Sequence, residues 1–299
     1  MGMNDIVKNR SEIIFLYDIK DANPNGDPLD ENKPRIDEET GINIVTDVRL
    51  KRTIRDYLLD FKEEEIFIRE IRKEDGKLKT KEDRLNDLKI EESNDLLKCI
   101  DIRLFGATAA IKKRTITFTG PVQFKFGRSL HKVVLTFVKG TTVMPSKEAK
   151  GQGTFTEAYI LPYSLICFYG IINENAAQHT HLTENDISLL LDGMWNGTKN
   201  LISRSKAGQM PRLLLRVNYK EKNYHIGDLD KLIKIKDGKL KEEKIRDISE
   251  IELDVSELIH ILNKNKDKIE TIEKKVDDRV EIDFRDLDNS IKMSNLEFV

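Results

Sequence analysis

Apolar and β-branched residues crowd positions 12–19 (Glu-Ile-Ile-Phe-Leu-Tyr-Asp-Ile) and stop at the turn cluster Asp21-Ala-Asn-Pro-Asn-Gly-Asp-Pro28, which predicts a buried strand and a tight turn. From about Asp47 the period changes. Leu50, Ile54, Tyr57, Leu58 and Phe61 recur at helical spacing, and Arg49, Lys51, Arg52 and Arg55 fall on the opposite face. Residues 62–97 are dense in charge with weaker periodicity, and predict a mostly helical insertion with a flexible tip near Asp75-Gly76. Residues 115–126 alternate, with Ile116, Phe118, Val122, Phe124 and Phe126 on one side, and read as one strand interrupted by a bulge or edge at Gly120-Pro121.

Residues 131–138 and 159–172 predict two further strands. Between them, 139–157 holds three glycines, a proline and scattered lysines, the composition of a protruding hairpin or loop. Thr183-Glu-Asn-Asp186 has the form of a capping box, opening a helix with Ile187, Leu190, Leu191, Met194 and Trp195 as its buried stripe. The basic turn Arg204-Ser-Lys-Ala-Gly-Gln209 leads into a strand at 212–219, and the tail alternates short strands with a charged helix around 255–268. Without the insertions the order is strand, helix, strands, helix, strand. That suits an α+β chain with a ferredoxin-like or RNA-recognition-motif core, whose two helices leave one sheet face open for RNA.

Charge refines this. The 299 residues carry 51 Lys+Arg against 53 Asp+Glu, for a formal net charge of −2, but the signs are segregated. Residues 102–147 contain nine basic and no acidic residues, and 195–220 contain six basic and no acidic residues. From Glu221 onward there are 21 acids and 16 bases, leaving 32 and 35 in the first 220 residues. Acid-free windows arise by chance in so charged a chain. Facing one groove, two of them would neutralise several phosphates, and binding would weaken steeply with salt.

Chemical motifs are sparse. Asp21-x-Asn23-x-Asn25-Gly26-Asp27 matches the opening of a calcium loop, but Asn32 replaces the bidentate Glu, two prolines intrude and a strand precedes the loop, so an Asn-Pro-Asn-Gly turn is the plainer reading. His179 and His181 lack a nearby cysteine or carboxylate pair, and no phosphate loop, nucleophile elbow or dinucleotide fingerprint occurs. Only two cysteines, Cys99 and Cys167, no apolar signal core and no span-length apolar run are present, which leads us to expect a cytoplasmic protein with no membrane partner and no disulfide framework. No catalytic residue, metal or cofactor is expected. Arg204, Ser205, Lys206 and Gln209 around Gly208 supply phosphate donors with close backbone approach, or form an ordinary basic turn. Val143-Met144-Pro145 is an apolar tip suited to wedging between bases, or to packing on a neighbouring subunit.

Several motifs in order carry a family resemblance. Asp21–Pro28, Pro34-Arg-Ile-Asp and Val45-Thr-Asp-Val-Arg-Leu-Lys-Arg52, then Asp101-Ile-Arg-Leu-Phe-Gly106, Gly120-Pro-Val-Gln-Phe124, Gly127-Arg-Ser-Leu-His131 and Ser203-Arg-Ser-Lys-Ala-Gly-Gln-Met-Pro-Arg212 resemble the CRISPR-associated backbone subunit, family seven, of type I Cascade complexes, closest to the type I-B branch of the RAMP superfamily. The similarity spans about 11–219. It implies an RNA-recognition palm over 1–220 with a helical finger at about 62–100 and a thumb-like hairpin at about 139–157, followed by a C-terminal extension, 221–299, packing on the palm.

The resemblance further implies copies that polymerise along a CRISPR RNA, hold its phosphates and leave specificity to pairing with target DNA. Its implied partners are neighbouring copies, the five-family cap, the large subunit and the six-family processing endonuclease. The expected RNA contacts are Asn23, Asn25, Gly26, Arg49, Lys51, Arg52, Arg55, Lys112, Lys113, Arg114, Arg128, Ser129, His131, Arg204, Ser205, Lys206 and Gln209, with Val143 and Met144 at the thumb wedge. The rival reading is a metal-dependent endoribonuclease of the kind found among type III backbone subunits, with Asp21 or Asp27 as the carboxylate.

Overall fold

The computed structural model describes residues 6–111, 114–141, 155–236, 238 and 240–298, without the side chains of Ile111, Arg114 and Phe155. Strand β1 (Ser11–Ala22) is buried without a break over its first nine residues, the pattern of a strand covered on both faces. A small hairpin, β2 (Gly26–Asp27) and β3 (Lys33–Pro34), precedes β4 (Ile42–Val45) and helix α1 (Asp47–Lys62). Thr46 caps α1 by accepting the Arg49 N–H at 3.3 Å, and the helix ends at Glu63 in the left-handed region, φ 57°. Leu50, Ile54, Tyr57 and Leu58 turn inward as predicted. Phe61 does not: it is 59% exposed and stacks on Tyr57 at 5.1 Å, while Arg55 takes a buried place instead.

The stretch predicted to be mostly helical holds only α2 (Lys81–Asp87) and a 3-10 helix, Ser93–Lys98, with a bridge between Arg72 and Leu78. Its apolar residues are too scattered for a helical stripe, and they gather instead in a small core of Phe67, Leu85, Ile90, Leu96, Leu97 and Ile102. Helix α3 (Ile100–Phe105) leads into a separate hairpin, β5 (Gly106–Ile111) and β6 (Arg114–Thr119). Gly106 is required there: its φ is +69° and an added Cβ would lie 2.1 Å from the Phe118 carbonyl oxygen. The next strand, β7 (Val122–Phe124), belongs to the main sheet. The break at Gly120-Pro121 is therefore a change of sheet, not a bulge in one strand.

Strands β8 (Gly127–Lys132) and β9 (Thr136–Thr141) replace the single strand expected at 131–138, and the 18-residue β10 (Phe155–Ile172) follows. Helices α4 (Glu174–Thr180) and α5 (Glu184–Lys199) come next, α5 with the predicted capping box between Thr183 and Asp186. Then come β11 (Met210–Tyr219), β12 (Lys234–Ile235), β13 (Leu253–Asp254), α6 (Ser256–Lys264), β14 (Ile269–Val276) and β15 (Lys292–Asn295). Among the described residues the main sheet has nine strands in the order β15-β14-β11-β1-β10-β8-β4, with β7 and β9 also on β10. The pairing is antiparallel except between β14 and β15. The fold is thus α+β around a mostly antiparallel sheet.

Alternate residues of the central strands feed two cores. Phe15, Tyr17, Phe168 and Leu214 meet Ile54 and Leu58 of α1 and Leu190 and Met194 of α5. On the other face Ile14, Leu16, Leu165, Leu213 and Val217 meet Leu229, Ile245, Leu258, Leu262 and Ile269. This corrects the expectation of an open sheet face, because both faces of these strands are apolar and the chain beyond residue 221 covers the second. Glu12, fully buried, holds that cover by accepting the hydroxyls of Tyr169 and Tyr219 and, at 2.9 Å each, the Ile226 and Gly227 N–H groups.

Candidate nucleic-acid interface

Two turns far apart in sequence are joined by their backbones: the Asn23 N–H donates to the Ser205 carbonyl at 2.8 Å. Asn25 fastens the same turn to α1, its Oδ1 accepting the Thr46 N–H at 2.8 Å and the Thr46 hydroxyl at 2.9 Å. Arg35 closes it by donating to the carbonyls of Asn25 at 3.2 Å and Gly26 at 2.6 Å. Gly26 has no room for a side chain, since an added Cβ would lie 2.1 Å from Asn32 Oδ1. These contacts bring the first turn of α1 beside the basic turn, and Arg49 beside Lys206.

Arg49 donates to Thr53 Oγ1 at 2.9 Å, and Lys206 Nζ to Ser205 Oγ at 3.3 Å. Exposed Arg204 reaches Thr156, opposite Gly140 towards the loop end of the β9–β10 ladder, at 3.5 Å. Among the described residues none of the three has a carboxylate within ion-pair distance. Burial pulls the Lys206 ammonium below its ordinary range and the charge of Arg49 adds to this; burial likewise lowers Arg49, with Arg52 adding and Asp56 opposing. Like charges held together, partly desolvated and without counterions make a site that gains by receiving an anion. Two buried polar atoms at this junction, Arg49 Nε and Asn23 Oδ1, also lack a hydrogen-bond partner.

Other expected contacts are placed differently. Arg55 is buried, donating to Asp101 at 3.0 Å and lying over the Phe105 ring at 5.0 Å. Ser129 accepts the Asn43 N–H and donates to the His131 carbonyl. His131 is 1% exposed, with Nδ1 2.8 Å from the Lys132 carbonyl and Nε2 accepting the Leu165 N–H at 3.2 Å. Gln209 is buried and donates to the Lys206 carbonyl, shaping the basic turn. Arg55, Ser129, His131 and Gln209, expected as RNA contacts, thus each spend at least one polar group on a partner within the protein.

Lys51 pairs with Asp47, Arg52 with Asp56, and Arg128 with Asp37 at 3.6 Å. Lys112, Lys113, Val143 and Met144 lie outside the described residues, as does the side chain of Arg114. The acid-free windows are partly neutralised in space, since Arg103 pairs with Asp186, Arg212 with Asp18 and Asp277, and Arg216 with Glu184 and Glu273. Arg35 and Thr46 were not singled out by sequence reasoning, because their roles depend on a turn nine or more residues upstream. Among the described residues no three His, Cys, Asp or Glu side chains are grouped to hold a metal ion. Asp27 Oδ1 accepts the Leu29 N–H at 3.0 Å within its own turn.

A family model described as CRISPR-associated protein Cas7 matches residues 9–256, which includes both joined turns. The chain belongs to the Cas7 family. A Cas7 relative from Haloferax volcanii, the CRISPR-associated protein Cas7 of that organism, is 33% identical over 311 aligned positions, covering 93% of this chain and 90% of the relative. The Cas7 fold also recurs in solved structures. One chain described as "CRISPR RNA-guided surveillance complex, pre-nicking" has a TM-score of 0.58 at 12% identity, covering 96% of both chains. Another, described as "CRISPR RNA-guided surveillance complex", has a TM-score of 0.56 at 14% identity, covering 95% of this chain and 94% of its own length.

Proposed function

We propose that the chain is a non-catalytic, CRISPR-RNA-binding backbone subunit of a type I-B-like Cascade surveillance complex, acting in the cytoplasm. The observation that carries this is the cluster of Arg49, Lys206 and Arg204, drawn from two distant segments and left without acidic partners among the described residues. Such groups hold phosphates without reading sequence, and pairing between guide and target DNA then supplies specificity. The strand order β11-β1-β10-β8, with α1 following β1 and α5 preceding β11, supports an RNA-recognition-motif-like palm. Residues of about 62–100 then serve as the finger and the hairpin at about 139–157 as the thumb. RNA lies along the joined turns and the Thr156 side of that hairpin, not across the sheet, whose faces are filled. The remaining partners are further copies of the chain, the five-family cap, the large subunit and the six-family endonuclease. Among the described residues no helix is long and apolar enough to cross a membrane.

The test is fluorescence anisotropy of purified protein with a labelled single-stranded RNA across a salt series. Affinity is expected to fall with salt by about 0.7 logarithmic units per logarithmic unit for each phosphate neutralised, irrespective of sequence. Affinity indifferent to salt, together with purified material whose absorbance ratio shows no bound nucleic acid, would overturn the reading. Incubation with magnesium and complementary RNA is expected to leave the RNA intact; cleavage abolished by Asp27→Ala would establish an endoribonuclease instead.

A further inference from the structure

The segment between α1 and α3 builds a small basic pocket from residues outside the joined turns. Its main chain folds back on itself: the Lys73 N–H donates to the Lys77 carbonyl and the Lys79 N–H to the Ile71 carbonyl, each at 2.8 Å, on either side of the bridge between Arg72 and Leu78. That return gathers Arg69 and Lys79 into one hollow with Lys81 and Arg84 of α2. The hollow measures about 100 Å³. At about 30 Å³ per water it has room for a few waters or one tetrahedral oxyanion, and is too small for a nucleoside.

Four cations and no carboxylate wall this pocket. Two acids outside the wall neutralise part of that charge: Glu65 accepts Arg84 and lies 4.0 Å from Arg69, and Asp87 takes Lys79 at 2.8 Å. Of the acids adjoining these residues in sequence, Glu70 pairs with Arg72 and Asp83 with Lys73, and Glu82 is exposed and outside the wall. Lys81 has no carboxylate partner among the described residues; its Nζ donates to the Thr108 carbonyl at 3.2 Å. One carboxylate therefore serves two guanidinium groups, and the charge offered to an incoming group is positive. Arg84 supplies a second, independent feature. It is 7% exposed, and its Nη2 donates to the Ile66 carbonyl at 2.8 Å as well as to Glu65, while its buried Nε has no hydrogen-bond partner. Buried guanidinium N–H groups are ordinarily bonded, and one left over among cations suits a phosphate oxygen. The one aromatic ring in the wall, Phe67, is 2% exposed, so a nucleobase has no face to stack on.

We propose that this pocket binds a single phosphate group through Arg69, Lys79, Lys81 and Arg84 and reads no base. The group comes from free inorganic phosphate or from the backbone of a nucleic-acid strand. The inference does not rest on RNA binding at Arg49 and Lys206, so the test uses the full chain carrying Lys206→Ala. Inorganic phosphate is titrated by calorimetry at constant ionic strength, and a labelled oligothymidylate by anisotropy across a salt series. Adding Arg69→Ala and Lys81→Ala is expected to weaken phosphate binding about tenfold. Both positions are exposed, so an unchanged circular dichroism spectrum and melting curve verify folding. If a strand is the source, the same pair of changes also lowers the oligothymidylate salt slope by about 0.7; if free phosphate is, only the calorimetric titration changes. A variant matching its parent in both titrations would overturn the proposal. So would an equal loss on replacing two exposed lysines elsewhere, Lys222→Ala and Lys264→Ala, which would show an effect of net charge alone.

Discussion

Lys206 and Arg49 sit in a turn and a helix whose sequences are separated by more than half the chain, and the charge of Arg49 adds to burial in lowering the Lys206 ammonium below its ordinary range. On the proposed function, a phosphate placed between them would relieve that repulsion. Lys206→Ala is expected to weaken RNA binding uniformly across sequences and to reduce the salt slope by about 0.7, read from anisotropy titrations. Arg55→Ala makes the contrasting case. Its partner Asp101 is fully buried and also accepts the Phe67 and Ile68 N–H groups at 2.8 and 3.0 Å, so deleting the guanidinium strands a carboxylate. The expected cost is about 3 kcal/mol in denaturant unfolding, with the salt slope of the folded fraction unchanged. His131 adds a pH dependence. Burial holds its imidazole below the ordinary value, and Arg246 lowers it further against the opposing pull of the Lys132 carbonyl and Glu242. The unfolded chain therefore binds a proton that the native state refuses: stability is complete above about pH 6.5 and declines as pH falls below it. Urea midpoints from pH 8 to pH 5 measure this, and His131→Gln is expected to flatten the decline over that interval.

Elements whose signals are local were legible in the sequence. Thr183 and Asp186 exchange hydrogen bonds of 3.2 and 3.0 Å within four residues, so the start of α5 needs no distant information. Thr183→Ala is expected to cost about 1 kcal/mol in thermal or denaturant unfolding, and Thr183→Ser a small part of it. The strand at 115–126 shows the opposite. Its alternation continues through Gly120-Pro121 without a change of period, yet β6 pairs with β5 and β7 with β10. Periodicity reports which side a residue faces, not which sheet it joins. For the same reason Arg55 fell among the expected RNA contacts, since its carboxylate partner lies on another helix. The joined turns were legible in composition, as Asn-Pro-Asn-Gly and Arg-Ser-Lys, but their meeting through Asn23 and Ser205 was not.

For the whole molecule, the chain beyond residue 221 reads as an acidic tail in composition and behaves as half of a core. Its apolar residues, among them Leu229, Leu258, Leu262 and Ile269, are spaced between charges and cover Ile14, Leu16, Leu213 and Val217. Truncation after residue 220 is expected to leave that face bare and to remove two of the donors to buried Glu12, giving insoluble protein or strong dye binding to exposed apolar surface. A soluble, cooperatively unfolding truncation would show that the first 220 residues suffice.

The 18-residue β10 carries a mechanical corollary. Its Ile172 end pairs with β1 in the middle of the sheet and its Phe155 end pairs with β9 in the hairpin, in one uninterrupted strand. At about 3.3 Å per residue it forms a single spar roughly 60 Å long. Torque applied where the hairpin emerges is delivered straight to the centre of the molecule, with no joint along the way to absorb it.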